Sequence, residues 1–292
     1  MSLPRVRGGA VLAATVMGFF LSVAVQAQAQ GVSVAPSRIL LDGRTRSATV
    51  FLSNRGAETE TYRISLVPMI MREDGALIQA DSTRMDRSAF AEDVVRFSPR
   101  RVVIPAGGSQ TVRLLVRRPR AESVEDVEYR AHLSVRSIPT VPRLDEVTNP
   151  LDREVPEDQV LAVPVASVET LVPLVVRFGK PWATARIAEP RLLEDDEGRT
   201  LVGFSLLREG TRSLYGQVTI THEGADGEAS RLYYGRGIAV YTPNARRVFR
   251  IPVNETAETL DGRISIVYEE TSDGGGDQEA RAVLTPRLLS QR

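Results

Sequence analysis

Apolar residues in this chain recur at every second position, in short runs broken by turn residues. Val112, Leu114 and Val116 alternate with Thr111, Arg113 and Arg117. Ala131, Leu133 and Val135 alternate with Arg130, His132, Ser134 and Arg136. A period of two sends successive side chains to opposite faces of a strand, whereas an amphipathic helix needs a period near 3.6. Helical spacing is nearly absent, with Glu122 to Val127 amounting to one turn at most. The pattern therefore commits the chain to sheets.

From Gly31 onward the runs follow one another closely. Val32 and Val34, then Ile39-Leu40-Leu41, precede an Asp42-Gly43 turn. Ala48, Val50 and Leu52 share a face up to Asn54-Arg55-Gly56, and Tyr62, Ile64 and Leu66 share another up to Pro68. A short return strand is expected after Glu73-Asp74-Gly75, and another strand over Val94 to Ser98. Pro105-Ala106-Gly107-Gly108 is a tight turn by composition. Runs of this length and spacing read as a β-sandwich. Residues 137–166 break the rhythm with prolines and acids and read as a long loop. Alternation returns over Val168 to Arg177, and Phe178-Gly179-Lys180-Pro181 looks like a hinge. A second set of strands follows: Ala183–Leu193, Leu201–Leu207, Tyr215–His222, Ser230–Tyr241, Arg246–Pro252, Gly262–Tyr268 and Ala280–Leu284. The expected fold class is all-β, with two immunoglobulin-like β-sandwich domains in tandem, at 30–178 and 181–292.

Residues 1–29 carry Arg5 and Arg7, an apolar run from Ala10 to Val25, and the small-x-small exit Ala27-Gln28-Ala29. That is the grammar of a secretory signal peptide, with cleavage expected near Ala27 or Ala29. The expected location is the periplasm. Roughly 260 residues then remain, enough for two domains of ordinary size. There is no cysteine, which excludes a disulfide scaffold, thiolate nucleophiles and cysteine metal sites. Formal net charge is zero, with no global basic bias toward nucleic acid. Lys180 is the only lysine, so positive charge is carried almost entirely by the rigid donor fork of arginine.

The first half resembles the periplasmic pilus chaperones, two-domain immunoglobulin-like proteins that bind fimbrial subunits. The resemblance rests on the ordered set Val34-Ala35-Pro36-Ser37-Arg38-Ile39, Ala48 to Asn54, Phe97-Ser98-Pro99-Arg100, Ile104 to Arg113 and Glu128 to Leu133. It implies a chaperone that stabilises pilus or fimbrial-type subunits by lending them a strand and delivers them to an outer-membrane usher. It also implies that Arg38 anchors a subunit's terminal carboxylate. The family's cleft lysine has no counterpart here, since the matching position falls near Pro173. Either Arg38 acts alone, another arginine such as Arg177 helps, or the anchoring chemistry differs. The strand to be lent is Val168 to Val176, with Val168, Thr170, Val172, Leu174 and Val176 expected to plug the client's pockets. The same apolar run also suits a central sandwich strand, and Arg38 also suits a solvated surface. An apolar edge can cap itself in a dimer. Tyr129 is expected to be a structural corner tyrosine, its hydroxyl tied to nearby backbone.

No cofactor, metal site or catalytic constellation is expected. The two histidines, His132 and His222, lack metal-ligand spacing. Asp195-Asp196-Glu197 reads as an acidic turn, and Gly235-Arg236-Gly237 as a bulge rather than a dinucleotide motif. The alternative function is an extracytoplasmic structural or adhesive β-sandwich module, distinguished by whether the Val168–Val176 strand is available to a partner.

Overall fold

The computed structural model describes residues 31–42, 45–80, 90–117, 126–139, 167–272 and 275–285. The expected leader at 1–29, the turn at Glu122 and most of the 137–166 loop lie outside the described residues. The described chain is all-β. Its strands form two clusters of sheets, each with a buried core of its own.

In the first cluster, β1 (Val32–Ala35), β3 (Ser47–Asn54), β9 (Ser109–Val116) and β7 (Val95–Ser98) make a sheet of order β1-β3-β9-β7. Facing it are β2 (Ile39–Leu41), β11 (Glu169–Phe178), β10 (Val127–Ile138), β4 (Glu60–Val67) and β8 (Arg101–Ile104), in order β2-β11-β10-β4-β8. Val50, Leu52, Val112 and Leu114 from one sheet meet Leu41, Ile64, Leu133, Val135, Leu174 and Val176 from the other. The period-two pattern is thus consumed as intended, with one face of each strand in the core. Asn54, read as a strand stop, is fully buried. Its amide donates to the carbonyls of Glu58 at 2.7 Å and Ile104 at 3.0 Å, closing two turns with one side chain.

The second cluster pairs β12 (Ala183–Glu194), β13 (Thr200–Gly210) and β16 (Arg246–Pro252) against β15 (Ala229–Val240), β14 (Leu214–Glu223), β17 (Arg263–Glu270) and β18 (Glu279–Leu284). Phe204 stacks on Phe249 with centroids 4.7 Å apart inside its core. The junction between clusters is pinned. Gly179 has φ +71°, and a Cβ there would lie 2.5 Å from the Asp126 nitrogen. The Asp126 carboxylate accepts the Lys180 N–H at 2.5 Å.

A short hairpin leaves the first cluster after Pro68, formed by β5 (Met69–Met71) and β6 (Leu77–Gln79). Only its return strand is expected from the sequence. It docks on the second cluster: the Val248 N–H of β16 donates to the Glu73 carbonyl at 2.7 Å, and the Asn244 amide donates to the Met71 carbonyl at 2.6 Å. Gly75, at φ +89°, lies so close to the Arg247 guanidinium that a Cβ would sit 2.4 Å from its nitrogens. Met71 packs with Ala239 and Tyr241, and Tyr215 closes the cluster from the side.

One side-chain assignment needs correcting here. Val172, Leu174 and Val176 are 3%, 0% and 1% exposed and belong to the first core. A side chain that fills its own core cannot also plug a partner's pocket. Thr170 lies at the half-buried rim of that face, and Val168 is 44% exposed beyond the strand's start. The opposite face carries Leu171, Pro173 and Val175. Leu174→Ala is therefore expected to cost about 2–5 kcal/mol through the cavity it leaves. Leu171→Ala, at a half-buried site, is expected to cost less than about 1.5 kcal/mol. Urea-melt midpoints at unchanged m-value measure both.

Candidate functional site

The register of β10 and β11 builds the site. Glu128 lies opposite Arg177, Arg130 opposite Val175, His132 opposite Pro173 and Ser134 opposite Leu171. Since Tyr129, Ala131, Leu133 and Val135 face the first core, these four polar β10 residues face away from it. They are nonetheless buried, with His132 2% and Arg130 5% exposed. Val175 shares that face and is 1% exposed. The second cluster reaches three of them, its Ser213, Tyr241 and Thr242 contacting Glu128, His132 and Arg130 directly, while the Ser134 hydroxyl donates to the Glu169 carboxylate.

Glu128 is the acceptor at the centre of this contact. It takes Nε of Arg177 at 2.9 Å from its own sheet. It also takes the Ser213 N–H at 3.0 Å and the Ser213 hydroxyl from the second cluster. Arg177 goes on to the Gly275 carbonyl at 3.3 Å and is 6% exposed. The charge of Arg177 is thus committed to Glu128 and to the contact between clusters, and burial lowers its pKa first of all. Beside it, Arg212 holds Glu270 through two bonds of 2.7 and 2.8 Å.

Arg130 and Arg208 have no such carboxylate bond among the described residues. Arg130 donates to the Thr242 hydroxyl at 3.2 Å and the Thr242 carbonyl at 2.5 Å. Arg208 donates to the carbonyls of Asn244 at 2.8 Å, Gly210 at 2.7 Å and Arg212 at 3.0 Å. Arg130, Arg177, Arg208 and Arg212 thus share the contact with Arg38, against the carboxylates of Glu128 and Glu270. Burial is the main cause lowering Arg130 to about 10, and the neighbouring Arg38 and Arg208 charges add to it. Burial, then Arg130 and Arg38, push His132 down to about 4. Both His132 ring nitrogens lack a hydrogen-bond partner, and the ring meets Tyr241 edge-on at 6.4 Å.

Arg38 stands at the start of β2, half-buried. Its guanidinium lies 4.0 Å above the Tyr215 ring, and its Nη1 donates to the Tyr241 hydroxyl at 3.3 Å. The neighbouring β11 strand is only partly paired on its second side among the described residues. Parallel pairing with β2 covers only Leu174 to Val176, while Glu169 to Pro173 pair with β10 alone among the described residues. Leu171 and Pro173, both half-buried, lie on the same side of the sheet as the β10 polar row. Tyr129 packs against the first core and meets Phe178 edge-on at 5.8 Å. The hydroxyl-to-backbone bond expected for it is not formed among the described residues. No three His, Cys, Asp or Glu side chains among the described residues converge as a metal site.

Glu128, Arg130, His132, Ser213, Tyr215 and Tyr241 were not legible as site residues. The β10 row alternates polar with apolar, which is the pattern of a solvent face. The tyrosines lie roughly two hundred positions from Arg38 in sequence, and nothing local links them.

No protein-family model matches the sequence, and no curated protein matches it. Solved structures of chaperones are similar to it. The YadV chaperone matches at 11% identity and TM-score 0.43, covering 87% of this chain and 99% of that one. The E. coli chaperone DraB matches at 12% identity and TM-score 0.45, covering 87% and 96%. The CsuC–CsuE chaperone–tip adhesion subunit complex of Acinetobacter baumannii matches at 14% identity and TM-score 0.42, covering 86% and 97%. Identities of 11–14% with TM-scores of 0.42–0.45 carry no functional argument for this chain.

The buried neutral histidine gives an acid response. With its folded pKa near 4 against an ordinary 6.5, the unfolded chain binds a proton between those values and the folded chain does not. Stability is therefore expected to fall as pH drops from about 6.5 toward 4, by up to about 1.4 kcal/mol per pH unit from this group. Above pH 6.5 the group contributes no slope. Urea melts of wild type and His132→Asn across pH 4–8 check this, the variant lacking that part of the acid loss.

Proposed function

We propose that this chain is a strand-lending chaperone for secreted pilus or fimbrial-type subunits. On this reading it is made of two immunoglobulin-like domains, 30–178 and 181–292, works in the periplasm after leader removal, and passes clients to an outer-membrane usher. The observation that supports the proposal is the flank of β11 that, among the described residues, stays unpaired from Glu169 to Pro173, with Arg38 at the start of the neighbouring β2 strand.

The chemistry follows from what an incomplete sandwich needs. A subunit lacking one strand exposes unpaired backbone groups and open apolar pockets, both costly in water. The flank from Glu169 to Pro173 can supply backbone partners by strand addition. Pro173 has no N–H, so the pairing skips a donor there. Leu171 and Pro173 are the side chains presented to the client, in place of the core-facing Val172 and Leu174. Arg38 would take the terminal carboxylate, fixing the register from which strand pairing proceeds. The guanidinium charge of Arg38 would favour that carboxylate over a neutral end.

Expression of the tagged mature protein in its native periplasm, followed by mass identification of co-purified chains, tests the reading. One or a few small secreted β-subunits are expected with wild type and are expected to be lost with Leu171→Asp. Arg38→Ala is expected to reduce capture at least tenfold, with unfolding midpoints showing both variants folded. A folded wild-type protein with no client while the neighbouring secreted subunits are expressed would overturn the reading in favour of a structural module.

A further inference from the structure

Arg38 belongs to the first cluster, and two tyrosines of the second lie against its guanidinium. Tyr215, on β14, lies under the guanidinium at 4.0 Å. Tyr241, which follows β15, accepts the Nη1 bond at 3.3 Å, and its ring centre is 6.0 Å from the guanidinium carbon. Both rings are themselves held. The Tyr215 carbonyl accepts the Thr271 N–H at 3.2 Å, and its backbone pairs with Ala239. Tyr241 is 4% exposed and lies 4.5 Å from the Arg130 guanidinium. Met71 of the β5–β6 hairpin packs against Tyr241 and Ala239, with Tyr215 alongside. Two separated pieces of the second cluster thus meet Arg38, and the hairpin packs behind their rings.

We propose that Tyr215 and Tyr241 are positioning residues for the carboxylate anchor, so that the anchor is assembled only when the two clusters are docked. This rests on the reading of Arg38 as that anchor. A free arginine side chain has about 2 kcal/mol of rotamer entropy, much of which is lost when it grips a carboxylate. Stacking on a ring restricts the side chain beforehand. It also occupies the face of the guanidinium, while carboxylate recognition uses hydrogen bonds in its plane. The Tyr241 hydroxyl then sets the rotation of that plane. Neither tyrosine needs to touch the client, and the ligand class is unchanged: a terminal carboxylate. What changes is that client binding reads the docking of the second cluster.

The test uses the mature protein with 15N-labelled arginine. N-acetyl-phenylalanine, or its C-terminal amide, is titrated while the Arg38 Nε–H signal is followed; the signal is assigned by its loss in Arg38→Lys. Backbone amide spectra confirm that each variant is folded. Wild type is expected to respond to the carboxylate and not to the amide. Tyr215→Leu is expected to weaken the carboxylate response roughly five- to tenfold, the range of a partly desolvated cation–π contact. Tyr215→Phe, which keeps the ring, is expected to stay within about twofold of wild type. Tyr241→Phe, which removes only the hydroxyl, is expected to narrow the preference for carboxylate over amide. A folded Tyr215→Leu and Tyr241→Phe that both match wild type would overturn the positioning role and leave Arg38 as anchor intact. A wild-type Arg38 signal that ignores the carboxylate would overturn the anchor, and the positioning role with it.

Discussion

The burial of Glu128 is the constraint on which the rest of the site depends. A carboxylate removed from water is strongly unfavourable unless charge and hydrogen bonds replace its hydration. Here no single element supplies the replacement. Arg177 comes from the paired strand, and the two Ser213 donors come across from the second cluster. Separating the clusters would leave Glu128 with Arg177 alone and would strip Arg177 of its carbonyl partners. Strand register then propagates the constraint. With Glu128 fixed, Arg130 and His132 follow at intervals of two on the same face, under Thr242 and Tyr241. One buried ion thereby decides which stretch of β10 lies beneath the second cluster.

The consequence is a contact surface that is polar and buried. Two of its arginines are neutralised by Glu128 and Glu270, while Arg130 and Arg208 are held by carbonyl oxygens. Carbonyl bonds satisfy donors without cancelling charge. Burial first, and the Arg130 and Arg38 charges second, hold the imidazole placed among them neutral.

Strand positions were legible because period-two patterning survives wherever one face is buried, and this held through both clusters. Side-chain roles were less legible, for definite reasons. β11 is apolar on both faces, so alternation alone cannot say which face its own sandwich takes. The sequence reading gave Val172, Leu174 and Val176 to a partner, and the fold gives them to the first core. The β10 row failed in the opposite sense. Its polar residues match a solvent face, and only the arrival of a distant tyrosine and serine turns it into an interior. Met69–Met71 went unread because Pro68 looked like the end of a strand, when it is the corner where a hairpin leaves the sheet.

That hairpin touches neither Arg38 nor the partly paired side of β11, yet it grips the border of the second cluster at β16. It works as a spacer wedged between two bodies. Its thickness is set by the fit of Gly75 on Arg247, and its length by the few residues between Met71 and Leu77. Adding or removing a residue at its tip would tilt one body on the other and retune the distance from the rings to Arg38. The geometry around Arg38 would therefore drift through a stretch of chain well away from it, out of sight of any comparison restricted to the cleft.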